Sequence, residues 1–415
     1  MIKEKSYKKT QTANPEDNRI SNECLMACLY FLCLPFTVVT TPYGSLLKVV
    51  TMPVILALSV RMLMGKSELT LNYVHFVYAV YVLYGIFLLF VFSEDIAVTT
   101  TKDMVLGLLM FFLISLRIYN KKECEAIETA WVLMGLVCIY VCLTSTEVVS
   151  DVESRAVIRV FGYEEDQNQF CAYFIMPVLV SLKRFIERRK FYPIYLIIIL
   201  LSFYSILKTG SRGGLIGVFA GTALYITAGV RSLKTKIIVI TAAAVFGFLF
   251  ITVAIPILPE DVAMRYSVDA VAQDGGTGRF EIWKFLIDYA FKEPTQLIRG
   301  SGIFSTYNIM YSAGLKNGVA HNTFVQILND EGIIGIILFF AVIAACILRN
   351  IRRAPLYACA FFALMAFAMS LTFYVFKPFL NIVIMCAISV SGELPQDKPD
   401  RKGDLTDACN AQQNF

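Results

Sequence analysis

The amino-acid sequence predicts an all-α integral membrane protein of about twelve transmembrane helices, with one large outer loop between the ninth and tenth spans. Three observations carry that expectation. Only 17% of the 415 residues are charged while 57% are hydrophobic, with mean hydropathy +0.65; a soluble domain carries about 25% charged residues. The apolar residues gather in runs close to the ~20 that a helix needs to cross a bilayer core. These runs do not alternate as barrel strands do, and backbone in lipid must satisfy its own hydrogen bonds, so they read as helices. Lys and Arg also recur on every second connection between runs, as cytoplasmic loops do.

Residues 1–22 form a polar, basic tail with Lys3, Lys5, Lys8, Lys9 and Arg19. It is too long and mixed to open a secretory signal, and no small-residue cleavage pattern follows the first apolar run. That run, about 24–40, therefore reads as a retained span. Further spans are expected near 44–64, 70–92, 103–119, 126–144, 168–186, 191–207, 213–230 and 236–258, which places nine within 23–258. The last three, near 333–348, 355–372 and 374–391, fill 332–392.

With a cytoplasmic N-terminus, the inner connections hold Arg61 and Lys66; Arg117, Lys121 and Lys122; Lys183, Arg184, Arg188, Arg189 and Lys190; Arg231, Lys234 and Lys236; and Arg349, Arg352 and Arg353. The outer ones are short, or long and acidic, such as 144–166 with Glu147, Asp151, Glu153, Glu164, Glu165 and Asp166. Both termini are then cytoplasmic, and 393–415 reads as a disordered polar tail. The eleven cysteines show no CxxC pair. None lies in the large loop, so they read as small core hydrophobes.

The 259–331 segment is the one place with room for a site built of loops. Pro256 and Pro259 end the ninth span, since proline cannot continue a helical ladder. After the Gly275-Gly-Thr-Gly278 lead-in, Phe280, Trp283, Ile287 and Ala290 recur at helical spacing. They predict an amphipathic helix over about 278–291, stopped by Glu293-Pro294. Its Trp suits the headgroup level. Gly300-Ser-Gly302 marks a tight turn. Asn322 reads as the N-cap of a helix carrying Phe324, Val325 and Leu328, which Asp330-Glu-Gly332 breaks.

Three stretches stand out as carriers of chemistry on the outer side: Ala320-His321-Asn322, the turn 208–214 and the segment 275–283. In the second, Ser211, Arg212 and Gly213 feed a helix N-terminus, where free backbone N–H groups and a planar guanidinium suit phosphate. The other reading of Arg212 is an interfacial arginine that snorkels to headgroups. Arg279 opens the amphipathic helix and divides the same way, with Arg265 and Arg299 as further candidate partners. His321 offers a neutral acceptor at external pH and suits a general base, or is a plain surface histidine. The only other histidine, His75, lies mid-span among Tyr73, Phe76 and Tyr78 and reads as packed or hydrogen-bonded in the bundle. Asn168 either holds a sugar hydroxyl or caps the sixth span. No HExxH or paired-histidine pattern supports a metal site.

Ser211-Arg-Gly-Gly214, Gly278-Arg279 with Trp283, Gly300-x-Gly302-x-Phe304, and His321-Asn-x-Phe324 with Gly332 and Gly335 together resemble the O-antigen ligase/polymerase superfamily. Asp166-x-Asn168 is similar to its upstream Asn motif. The resemblance covers roughly 160–345, and beyond that matches mainly in topology. It implies a twelve-span bundle whose large outer loop serves glycan transfer from an undecaprenyl-pyrophosphate carrier, without metal or nucleotide sugar. It implies no cofactor and no nucleic-acid partner. By position, Arg212 and Arg279 match arginines on the pyrophosphate and His321 the base, with Ser211, Gly213, Asn168, Asn322, Arg265 and Trp283 as substrate-binding candidates. The stretch between Gly302 and His321 departs from the pattern, which leaves the glycan open.

The expectation is a glycosyltransferase in the cytoplasmic membrane of a bacterium, working on its outer face in surface-polysaccharide, O-antigen or capsule biosynthesis. A polymerase would pass the glycan to another lipid-linked unit; a ligase would pass it to a non-carrier acceptor. The rival from another class is a twelve-span flippase, whose site would lie at the midplane between related halves; no half-to-half similarity is evident. A non-catalytic scaffold would leave the Arg/Arg/His group unexplained.

Overall fold

The computed structural model describes residues 19–65, 68–92, 96–144, 146–149, 155–230, 232–249, 252–253, 255–258, 260–264, 266, 278–315, 318–372 and 377–391. Both terminal tails (1–18 and 392–415), Arg265 and the 275–277 lead-in lie outside these residues.

Every expected apolar run holds helix. In chain order these are α1 (Asn22–Leu32), α2 (Leu46–Leu63), α3 (Tyr73–Phe92), α4 (Ile96–Ser115), α5 (Lys121–Thr144), α6 (Gln167–Ala172), α7 (Ile175–Ile186), α8 (Tyr192–Lys208), α9 (Arg212–Leu224) and α10 (Leu233–Leu249). The outer segment adds α11 (Ile255–Ile257), α12 (Glu260–Met264), α13 (Arg279–Ala290), α14 (Pro294–Arg299), α15 (Ser305–Ser312) and α16 (Thr323–Asp330). The chain then re-enters the bundle with α17 (Gly332–Asn350), α18 (Pro355–Ala368) and α19 (Lys377–Ala387). Among the described residues, five helical stretches are by themselves long and apolar enough to cross a membrane: α2, α3, α5, α6 with α7, and α17.

Proline explains most departures from the expected spans. The first run leaves the α-helix at Cys33 and continues as a 3-10 turn through Pro35. The sixth breaks at Tyr173–Phe174, because the Pro177 ring removes an N–H and crowds the carbonyl four residues back. That ring seats on Gly135 of α5, where a Cβ would lie 2.5 Å from it. The ninth, expected over 236–258, is helical over Leu233–Leu249 and again over Ile255–Ile257.

A second departure concerns the all-α expectation. Within 144–166 three antiparallel strands form: β1 (Thr146–Val149), β2 (Arg155–Val160) and β3 (Tyr163–Glu165). The β-branched residues here favour a pleated surface. Phe161 and Gly162, at φ 49° and 87°, supply the left-handed pair that a two-residue hairpin needs.

Small residues set how the helices meet. Gly213, Gly217 and Gly221 recur every four residues on α9 and face the α18 end of the chain: Ser370, the Phe367 ring and Ala363 respectively. Such a stripe lets two membrane helices approach closely, and it fixes where Arg212, at the head of α9, comes to lie. At the opposite end, Glu123 pairs with Arg117 at 2.7 Å and Glu128 with Lys183 at 2.8 Å. His75 is a packed residue, as read from sequence. The Asn72 N–H donates to its Nδ1 at 3.1 Å, so its Nε2 carries the proton and donates to Ser115 Oγ at 3.0 Å.

Candidate functional site

The site is best built outward from the peptide before His321. The Ala320 N–H donates to Gln326 Oε1 at 2.9 Å, and the Ala320 carbonyl accepts from Trp283 Nε1 at 2.8 Å. Both backbone polar groups of Ala320 are thereby clamped by side chains from two helices, α16 and α13. His321 follows with φ 51°, a left-handed backbone that a non-glycine residue holds only where its surroundings over-determine it, at a cost of about 1–3 kcal/mol. Asn322 then caps α16, its Oδ1 accepting from the N–H groups of Phe324 and Val325. That cap was legible in the sequence.

Behind the clamp sits Asp330, which is 0% exposed. Its oxygens accept from Phe304 N, Ser305 Oγ, Thr306 N, Thr306 Oγ1 and Gln326 Nε2, at 2.6–3.2 Å. The last bond orients the Gln326 amide, leaving its oxygen for Ala320. Asp330 therefore connects the turn at 304–306 to the carrier of His321.

Backbone-to-backbone packing holds that turn. A Cβ on Gly300 (φ 78°) would run into the Asp330 carbonyl, and one on Gly332 (φ 70°) into the Ile298 carbonyl. Ser301 N and Gly302 N donate to the carbonyls of Asn329 and Asp330 at 2.8 and 2.9 Å. The glycines at 300, 302 and 332 thus close one clasp, which Tyr84 Oη braces from α3 by bonding the Arg299 and Glu331 carbonyls. Inside it, burial and the neighbouring Asp330 push the Glu331 carboxyl far above the usual range.

Arg212 stands half-buried on a separate turn. Ser211 caps α9: its Oγ accepts from Gly214 N at 3.0 Å and donates to Asn168 Oδ1 at 2.8 Å, while Ser211 N donates to Thr209 Oγ1 at 3.2 Å. Two N–H groups expected to be free for phosphate are therefore engaged within the turn. Gly213 serves packing, against Ser370. Asn168 neither caps α6, a role taken by Asp166, nor stands apart; it ties α6 to the Arg212 turn.

The Met369–Leu371 turn joins these parts. Gly213 abuts Ser370 on one side. On the other, Asn322 Nδ2 donates to the Met369 carbonyl at 3.4 Å and Thr323 Oγ1 to that of Leu371 at 2.6 Å. Arg279, half-buried, lies one helical turn before Trp283 and on its face. Arg212, Arg279 and His321 are thus carried to one end of the bundle by three contiguous elements. Arg265 lies outside the described residues.

The sequence reading of α13 needs one correction. Ile282, Leu286 and Ala290 are the buried stripe, packed with Met310 and Ala320, whereas Phe280 and Ile287 face outward. Trp283 is half-buried and spends its N–H on Ala320, so it positions the site. Sequence reasoning missed Gln326 and Asp330. The signal was present, since both fall on the same buried face of α16 as Thr323 and Ile327.

Glu165, beside the Asp166 cap, is pushed up by burial to about 7 from 4.5. The folded protein then holds a proton that the unfolded chain releases. Stability from this group is full below pH 4.5 and lost as pH rises through about 7. Thermal midpoints measured across that window should fall more steeply for wild type than for Glu165→Gln; parallel curves would refute the assignment.

Residues 196–340 match the family model described as O-antigen ligase (Wzy_C). The match runs from α8 into α17, taking in the Arg212 turn, Arg279, the glycine clasp and His321, while Asp166-x-Asn168 precedes it. No curated protein matches the chain.

Proposed function

Because the match over residues 196–340 supports the O-antigen ligase/polymerase superfamily as the family of this multi-pass bacterial membrane protein, we propose that it transfers lipid-linked glycan at the outer face of the cytoplasmic membrane. In this reading the chain makes about twelve crossings with both termini inside. Residues 259–331 form the outer loop between the ninth and tenth, and the donor is an undecaprenyl-pyrophosphate-linked glycan. The observation that supports it best is the clamped Ala320 peptide, which presents His321 beside the elements carrying Arg212 and Arg279.

His321 takes the proton of the acceptor hydroxyl as its oxygen attacks the anomeric carbon of the donor sugar. The bond from that carbon to the pyrophosphate breaks, and its electron pair leaves on the phosphate oxygen. Arg212 and Arg279 stabilise the charge growing there. A preorganised electrostatic contact of this kind is worth about 10²–10³ in rate. The leaving group is already good, so no metal is called for.

Two acceptors fit. A second lipid-linked unit makes the protein a polymerase. The description of the matched family favours the other reading, a ligase using a non-carrier acceptor. Purified protein given lipid-linked oligosaccharide in EDTA should yield longer lipid-linked glycans if it is a polymerase. A product found only on an added non-carrier acceptor would make it a ligase. In either case Arg212→Gln and Arg279→Gln should each cost about 10²-fold or more. Loss of activity in EDTA, or carrier translocation with no product, would overturn the proposal.

A further inference from the structure

We propose a second pyrophosphate site, for the carrier of a lipid-linked acceptor, at the ends of α2, α4 and α19 that lie on the His321 side of the bundle. It is built from Lys48, Lys377 and Asp103. This inference rests on the transfer reading above and specifies its acceptor.

Lys48 Nζ lies 2.7 Å from Asp103 Oδ1. Lys377, the first residue of α19 and half-buried, lies level with Asp103: Leu380, one turn further along α19, packs against Gly107, one turn further along α4. Among the described residues no hydrogen bond or ion pair reaches its ammonium. Among the described residues, two ammonium groups thus stand at one carboxylate. A surplus positive charge on membrane helices is costly unless something neutralises it, and the missing partner is an anion.

The position of the cluster identifies that anion. Met104, next to Asp103, packs over Gly85 beside Ile303 of the glycine clasp, so α4 brings Asp103 to the level of the outer segment. Lys377 follows the turn whose Leu371 carbonyl binds Thr323. Six residues of chain span at most ~20 Å, which bounds its distance from Leu371.

The transfer chemistry requires two phosphate positions on this face. The donor's pyrophosphate departs from the reacting carbon itself and belongs with Arg212 and Arg279. The acceptor's pyrophosphate lies a whole repeat unit away from the attacking hydroxyl. When that hydroxyl oxygen bonds the donor's anomeric carbon, its proton passes to His321 and the donor carrier leaves as the pyrophosphate. The lengthened glycan then hangs from the second carrier, held at Lys48 and Lys377. A non-carrier acceptor has no use for such a site, so its occupation points to a polymerase.

Native mass spectrometry of the full-length protein with undecaprenyl pyrophosphate alone tests this. Wild type should take up two molecules, and phosphatidylglycerol should not displace them. The Lys48→Gln/Lys377→Gln pair should lose one, as should Arg212→Gln/Arg279→Gln, and the four changes together should lose both. Lys48→Arg/Lys377→Arg should retain two. Asp103→Asn should let the second molecule bind at lower concentration, whereas a purely structural ion pair predicts the opposite. One molecule on wild type, removed only by the arginine changes, would overturn the second site and leave the transfer reading standing. Displacement by phosphatidylglycerol would make it a general headgroup site and equally overturn the acceptor assignment. No binding to wild type would overturn both readings.

Discussion

His321→Asn is expected to slow glycan transfer by about 10²–10⁴-fold, the usual contribution of a positioned base, with the thermal midpoint close to wild type. The choice of Asn follows from the backbone. His321 sits at φ 51°, where Asn is among the side chains that settle most readily. His321→Ala would mix the loss of the base with a left-handed alanine, which costs about 1–2 kcal/mol. With Asn, the clamp from Trp283 and Gln326 should hold the Ala320 peptide as before, because both bonds are made to backbone. Rates taken at saturating donor alongside a melting curve separate chemistry from folding. A variant that folds and retains the wild-type rate would remove His321 from the reaction and leave the arginines to act on an acceptor that needs no base.

The helical bundle was legible because lipid leaves so few alternatives: apolar runs of membrane length must satisfy their own backbone, and loop charge orders them. The same logic marked Asn322 as a cap and 300–302 as a turn. What escaped was anything set by contact between distant stretches. Gly300, Gly302 and Gly332 look like three separate punctuation marks along the chain. Only the fold makes them one clasp, in which Gly300 leaves room for the Asp330–Glu331 backbone, Gly332 for the Ile298–Gly300 backbone and Gly302 for the Phe92 side chain. Trp283 was legible as an interfacial aromatic, but its partner, the Ala320 carbonyl, lies 37 residues away. The apolar stripe read for α13 was Phe280, Trp283, Ile287 and Ala290, whereas its neighbours cover Ile282, Leu286 and Ala290: a short helix with apolar residues on two sides does not declare which side its neighbours will cover. The strands of 144–166 were lost among acidic residues that suggested a solvated loop.

Asp330→Asn is expected to uncouple the site while changing only one atom. Three donors point at Oδ1 and two at Oδ2, so an amide nitrogen in either place faces a backbone N–H that cannot turn away. Leaving a buried donor unsatisfied costs about 1–3 kcal/mol. The effect also travels. With the nitrogen at the Oδ2 position, Gln326 must flip its amide to accept from it, and its NH2 then confronts the Ala320 N–H, whose acceptor in the wild type is the Gln326 Oε1. The peptide carrying His321 loses one side of its clamp. Both the melting temperature and the transfer rate should therefore fall. Gln326→Glu added to Asp330→Asn restores an acceptor toward Ala320 and toward the new amide, so the double variant should recover part of the rate, a coupling that a double-mutant cycle measures. Glu331→Gln supplies the comparison. Burial and the nearby Asp330 already push that neighbouring carboxyl well above its usual range, so an amide of the same shape suits its surroundings, and less should change than at Asp330. If Asp330→Asn transfers glycan as fast as wild type, or if the double variant is no faster than the single, the link from Asp330 through Gln326 to His321 is structural scaffolding without influence on the reaction.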